Sequence, residues 1–204
     1  MITEVFFDVE TKSFFDESGA SKPEELGVSI VSLYRRTLDE KLNEVEGKMY
    51  SFWEQEFEKM WPLFLDAKRI IGFNSIRFDV PALKPYSPSF FTKLHHFDIL
   101  TEIKNVFGRR VSLDNIAKET LGTSKIDNGA NAVMYFQKGD QKSLELLRKY
   151  CEADVDITKQ IYDFALKNKF LKFKDHWNNP IKIDVDFSYK RESDEKQESQ
   201  LGLF

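Results

Sequence analysis

Eight residues near the N-terminus, Ile-Thr-Glu-Val-Phe-Phe-Asp-Val at 2–9, constrain the fold more than any other segment. They are short, aromatic and β-branched, the make-up of a strand buried in a sheet. Asp8 interrupts the run. Residues alternate faces along a strand, so Glu4, Phe6, Asp8 and Glu10 share one face, and Asp8 and Glu10 stand side by side at the strand's end. A second buried run, Arg-Ile-Ile-Gly-Phe, follows at 69–73. Between the two, 27–36 and the residues around 42–52 read as strands, whereas 10–26, polar with Gly19 and Pro23, reads as a loop. Within 54–67, Phe57, Trp61, Phe64 and Leu65 have helical spacing. From about 79 to 166 the pattern is mostly helical, broken at Pro85–Pro88, Gly108, Gly122 and Gly139. Strands first, then strand–helix alternation, indicate an α/β layer fold with a mixed central sheet flanked by helices. The end of the chain differs. Residues 170–175 and 180–187 alternate apolar and polar around Asn178-Asn179, which reads as a β-hairpin. Residues 188–200 have almost nothing to bury and are expected to be disordered.

With 204 residues, a chain buries roughly 70% of its unfolded surface and can build a core unaided. Cys151 is the single cysteine, which excludes an intramolecular disulfide and a multi-cysteine zinc site and fits a reducing, cytoplasmic setting. No run of ~18 apolar residues marks a membrane helix, and Glu4 and Asp8 stand where a signal peptide needs a basic and then a clean apolar stretch. The net charge is −4, from 30 Lys plus Arg and 34 Asp plus Glu. Nucleic-acid binding would therefore need local basic patches or bound metal, since bulk attraction is excluded.

Three further polar positions fall inside apolar patterns. Along 143–166, Leu147, Cys151, Asp154, Ile157, Ile161 and Ala165 follow i, i+3, i+4 spacing, which puts Asp154 in a core stripe. Tyr150 lies one turn earlier and reaches the same point. Asp79 follows the strand at 69–73 by way of Asn74 and precedes Pro81, a helix-start residue. Bland readings exist for each: solvated acids at a strand end, a Tyr–Asp structural bond, a helix cap at Asp79, a turn residue at Asn74. If the four acids converge, two like charges ~4 Å apart cost about 4 kcal/mol at an effective dielectric of ~20, so they must protonate or bind a cation. An all-oxygen set, with neither His nor Cys, favours Mg²⁺ or Mn²⁺. His95 and His96 read as loop residues.

Asp8-Val-Glu10, Asn74 with Phe78-Asp79, and Tyr150 with Asp154 four residues on resemble the three motifs of the DEDD superfamily of DnaQ-like 3′–5′ exonucleases, which have an RNase H-like fold. Tyr150 points to the tyrosine branch. The resemblance implies an exonuclease domain over 1–166, followed by a hairpin extension at 167–187 and a linker at 188–204. It further implies two divalent cations, Mg²⁺ or Mn²⁺, and hydrolysis of terminal phosphodiesters to 5′-mononucleotides. Asp8 would bridge both ions, Glu10 and Asp154 would hold the nucleophile-side ion, and Asp79 the other. Tyr150 would position the attacking water, while Thr11, Asn74 and Phe78 would shape the site around the terminal nucleotides. Residues 112–122 and the stretch from Lys125 to Asp140 also resemble this family's helical segment. Arg109, Arg110, Lys118 and Lys125 could supply a basic face or be solvated surface.

The last five residues, Gln200-Leu201-Gly202-Leu203-Phe204, resemble the pentapeptide by which bacterial proteins bind the DNA polymerase sliding clamp. Leu203 and Phe204 would fill an apolar pocket, with Leu201 beside them, and Gln200 would fix the register. The tail favours DNA as substrate, because the acidic motifs do not separate DNA from RNA. Other readings are an exoribonuclease trimming RNA 3′ ends, or a non-catalytic RNase H-like module tethered to the clamp.

Overall fold

In the computed structural model, which describes residues 1–124 and 129–189, β1 (Ile2–Thr11) is the central strand of a five-stranded sheet. Its neighbours are β2 (Val28–Leu38) and β3 (Glu44–Trp53) on one side, and β4 (Arg69–Gly72) and β5 (His96–Asp98) on the other. The β2 and β3 pairings are antiparallel, and those of β1 with β4 and β4 with β5 are parallel. The β2–β3 turn is closed by Asp39, whose carboxylate accepts from the N–H groups of Lys41 and Asn43 at 2.9 and 2.8 Å. That local bond draws Leu42 into the left-handed region at φ 64°, a conformation otherwise rare for its type.

The expected alternation along β1 is present. Val5, Phe7 and Val9 pack with Phe57, Met60, Trp61 and Phe64 on one face of the sheet. Phe6 packs on the other, with Ile157, Ile161 and Tyr162. Burying each such Phe contributes roughly 1.5–3 kcal/mol. The second face is covered mainly by α7 (Gln141–Asn168). Its buried stripe includes Leu147, Cys151, Asp154, Ile157, Ile161 and Ala165, the positions the spacing selects. Asp140 caps it, accepting from Ser143 N at 3.0 Å. Also on this face are α4 (Ile99–Phe107), α5 (Leu113–Ile116) with a π-turn over Ala117–Leu121, and the hairpin of β6 (Phe170–Lys174) and β7 (Pro180–Asp184). The hairpin's Leu171, Phe173 and Ile183 join the same core as Phe6. A further helix, α6 (Gly129–Lys138), packs Ala132 against Leu147 and Cys151.

Three local expectations are corrected. The segment 54–67 is no continuous helix: α2 (Phe57–Met60) lies between two 3₁₀ turns, the second containing Pro62. Proline has no N–H to continue the helical ladder, so the period shifts. Phe57, Trp61 and Phe64 are buried, but Leu65 is 57% exposed. The loop 10–26 holds α1 (Phe15–Ser18) and a 3₁₀ turn at Pro23–Glu25. His96 begins β5 rather than lying in a loop. Its ring meets Phe7 and Phe91, and its Nε2 lies 2.9 Å from Phe91 O. Lys125 and the tail, with Gln200, Leu201, Leu203 and Phe204, lie outside the described residues. No described helix is long and apolar enough to cross a membrane.

Glu4 pairs in register with Arg36 of β2 and Arg69 of β4, so one row crosses three strands. Glu4 is fully buried. Its carboxylate accepts from Arg36 Nε at 2.7 Å, Tyr162 Oη at 2.8 Å and Tyr189 Oη at 2.6 Å. Arg69 donates to Tyr162 Oη and to the carbonyl of Phe187, both at 2.7 Å. The row fastens the last described residues across the sheet.

Candidate active site

The carboxyl ends of the parallel strands lie together at one edge of the sheet, where open α/β sheets bind ligands. Asp8 and Glu10 sit at the end of β1, with a register shift between Glu10 and Thr11. After β4 the chain turns sharply. A Cβ on Gly72 would sit 2.5 Å from Ser75 Cβ, so only glycine fits there. Asn74 is left-handed at φ 65°, and its carbonyl accepts from the N–H groups of Arg77 and Phe78. It is thus a turn residue, and its side chain also faces the cleft. After this turn, α3 (Asp79–Leu83) begins. Asp79 does not cap it by a side-chain bond. Instead its Oδ1 accepts from Val9 N at 3.1 Å, tying it to the end of β1.

Asp154 and Tyr150 reach the same place from α7. A cleft of about 430 Å³ is lined by Asp8, Asn74, Arg110, Ser112 and Asp154 with apolar neighbours. Donor atoms of Asp8, Glu10 and Cys151 lie within 4.8 Å of one another. Asp79 is 4% exposed. Burial, and then the charges of Asp98 and Asp154, hold its carboxyl well above the usual range. Burial, and then Asp154, Glu10 and Asp8, push the Tyr150 phenol far up, and a hydrogen bond joins it to Asp154. The phenol is therefore a proton donor here and no base. The sequence-selected acids and Tyr150 are accordingly together.

The remaining sequence candidates divide. Thr11 is 8% exposed and its hydroxyl donates to Ser13 O at 3.0 Å, so its side chain serves the loop. The Phe78 ring meets Phe15 edge-on at 6.4 Å, and Phe15 stays 38% exposed. Arg110 donates to Asn74 Oδ1 at 2.9 Å and borders the cleft. Lys118 is paired with Asp114 at 2.7 Å along its own helix.

Two residues of the site were not selected from the sequence. Asp98, 2% exposed, accepts from the backbone N–H groups of Asn74, Ile76, Leu100 and Thr101. It caps α4 and holds the Asn74 turn with one carboxylate. The cap was visible in principle, since an aspartate precedes the apolar start of α4; its grip on the turn was not. Cys151 enters a set that was expected to contain no cysteine. Its Sγ lies 3.5 Å from Asp8 O and 3.8 Å from Asp8 Oδ2. Burial, then Asp8 and Glu10, push the thiol well above its usual pKa, so it stays a weak donor to Asp8. The ionisable ligands that remain are oxygens, and crowded carboxylate oxygens fit a hard divalent cation. Asp8 and Glu10, with Asp79 and Asp154 beside them, are the residues that could hold one.

Residues 5–166 match the family model of the RNase H superfamily. Among solved structures, the family B DNA polymerase from the hyperthermophilic archaeon Pyrobaculum calidifontis is similar over 81% of this chain, with a TM-score of 0.58 and 16% identity. This chain spans only 25% of that polymerase, and the likeness at such identity concerns the fold alone. No curated protein matches the sequence. The family match covers most of the chain and the whole acidic cleft, and the chain belongs to the RNase H superfamily.

Proposed function

We infer that this protein is a metal-dependent 3′–5′ exonuclease that releases 5′-mononucleotides, with single-stranded DNA 3′ ends as the favoured substrate. The observation that carries the reading is the meeting of Asp8, Glu10, Asp79 and Asp154 with the Tyr150 phenol at one sheet edge. Four carboxyl groups gathered in and around the core are costly to assemble for structure alone. When bound, Mg²⁺ or Mn²⁺ would supply Lewis-acid polarisation of the phosphate and an activated water. The chain's own groups do the rest. Tyr150, held protonated and bonded to Asp154, orients the attacking water without deprotonating it. Arg110, fixed by Asn74, adds positive charge at the mouth of the cleft. Phe73, which lines the cleft, gives an aromatic face on which a terminal base can stack whatever its identity.

The experiment compares two 5′-labelled oligonucleotides of one sequence, DNA and RNA, with Mn²⁺, with EDTA, and with the Asp8→Ala protein. A ladder shortening from the 3′ end, lost in EDTA and in the variant, is expected, with DNA shortening faster. Shortening from the 5′ end, or Asp8→Ala activity equal to wild type, would refute the assignment; faster loss of RNA would turn the enzyme into an exoribonuclease. Recruitment to a bacterial sliding clamp rests on Gln200, Leu201, Leu203 and Phe204. Removing 200–204 is expected to abolish clamp binding and leave hydrolysis of free oligonucleotides unchanged, and retained clamp binding would end that part of the reading.

A further inference from the structure

The acidic cleft does not end at Ser112. A second cleft, of about 400 Å³, shares Arg110, Val111 and Ser112 with it and runs to the tip of the C-terminal hairpin. Arg109, Arg110 and Lys174, which is paired with Glu119 at 2.9 Å, border it with one lining acid, Asp175. That acid is engaged by the turn: it accepts from Trp177 N and Asn179 N at 2.9 Å and from Asn179 Nδ2 at 3.1 Å. The hairpin is held in place from α5 and the π-turn after it. Asn115 bonds both the N–H and the carbonyl of Lys174, at 2.9 and 2.7 Å, and Thr120 does the same to Lys172.

On this fastened tip, Trp177 is 70% exposed, its ring against His176 with centroids 3.4 Å apart. Single exposed apolar residues are ordinary. Trp177 differs in position: it sits on a braced turn with its ring against His176, and His176 lines a cationic groove that opens into the carboxylate cluster. The fold gains little from it there, because so much of the ring stays in water.

We propose that this groove carries the single-stranded nucleic acid leading to the site, with phosphates on Arg109 and Arg110 and a base stacked on Trp177. The proposal rests on the nuclease reading and adds the strand's path. Cations beside a planar aromatic suit a polyanion with flat bases, and stacking of this kind tolerates any sequence. It also answers the net charge of −4: attraction is local, on Arg109 and Arg110.

The test is fluorescence anisotropy of a labelled single strand of about 15 nucleotides, at low salt in EDTA so that no hydrolysis is needed. Trp177→Ala is expected to weaken binding about tenfold, the effect of losing one stacked base, while Trp177→Phe keeps most of the affinity. Arg109→Ala is expected to reduce the slope of log K against log salt by about 0.7, one phosphate contact on a single strand. In Mn²⁺, Trp177→Ala should raise KM for the long strand and leave a dinucleotide substrate unaffected. Wild-type binding by both Trp177→Ala and Arg109→Ala, or no binding by the wild type, would overturn the groove. Weakened binding by the variants with no hydrolysis by the wild type would keep the groove and remove the nuclease.

Discussion

Replacing Asp8 by Asn should stabilise the metal-free protein. Donor atoms of Asp8 and Glu10 lie within 4.8 Å. Two full charges at that distance repel by about 3.5 kcal/mol at an effective dielectric of ~20. Asp8 is half-buried, so water screens part of this, leaving about 1–2 kcal/mol. Asn is nearly isosteric, keeps the backbone pairing of β1, and weakens the thiol contact from Cys151 at 3.8 Å. For a chain of this size, ~1–2 kcal/mol raises Tm by about 2–8 °C. The assay is thermal unfolding in EDTA, at low and at about 1 M salt, where a Debye length of ~3 Å should shrink the difference. Adding Mn²⁺ should then reverse the order. Wild type gains about 2.7 kcal/mol at a hundred times Kd, and Asp8→Asn, short of one ligand charge, gains less. A variant that melts below wild type in EDTA, with the same Mn²⁺ shift, would refute the idea that these acids repel across an ion site.

Other perturbations separate structure from chemistry. Tyr150→Phe keeps the buried ring and removes the hydroxyl, so kcat should fall about 10–100-fold with KM nearly constant, as for a group acting in the transition state; an unchanged kcat would remove the hydroxyl from the reaction. Glu4→Ala should cost about 1–3 kcal/mol in urea unfolding, because it removes the acceptor of the Tyr162 and Tyr189 hydroxyls, while Arg36 keeps Asp163 at 2.7 Å and Glu44 at 3.2 Å; an unchanged stability would contradict the network. His96 gives a pH signature. Burial, then His95, lowers its pKa from 6.5, so it stays neutral in the fold while the unfolded chain takes up a proton. Its contribution to stability is complete above pH 6.5 and is lost as pH falls through the folded pKa. His96→Phe should flatten the stability change between pH 7 and 5, and an equal slope in both proteins would refute this.

What the sequence revealed depended on period. β1 and α7 carry long patterns, of period 2 and 3.6, so their faces were legible, and with them the acids that break those patterns, Asp8 and Asp154. β5 has three residues, too few for any period, so His96 and Asp98 were passed over. Leu65 followed the helical spacing on paper, and Pro62 took it out of phase. The partner of Asp79, Val9 N, lies 70 residues away in sequence, and nothing local points to it. Cys151 was legible as a stripe residue, but its approach to Asp8 depends on how α7 crosses β1. The hairpin was legible from its alternation; that its tip shares a groove with the acidic cleft is a product of tertiary packing through Asn115 and Thr120.

The single face of β1 shows why the acids must be judged by their neighbours and not by burial. Glu4 and Glu10 are both buried and stand on the same face. Glu4 meets Arg36 and two phenols, with Arg69 reaching it through Tyr162. That acid strengthens the apo fold, and no ion is needed to explain it. Six residues on, Glu10 meets Asp8, a protonated thiol and a phenol held protonated. The Asp8 charge opposes that of Glu10 at this end of the strand, and a bound cation would offset both. The two ends must therefore respond oppositely to charge removal. Glu4→Ala should lower Tm by the same amount in EDTA and in Mn²⁺, whereas Asp8→Asn should raise it in EDTA and lose that advantage in Mn²⁺. A Mn²⁺-dependent effect at Glu4, or a Mn²⁺-independent one at Asp8, would break the distinction between structural and functional acids on one strand.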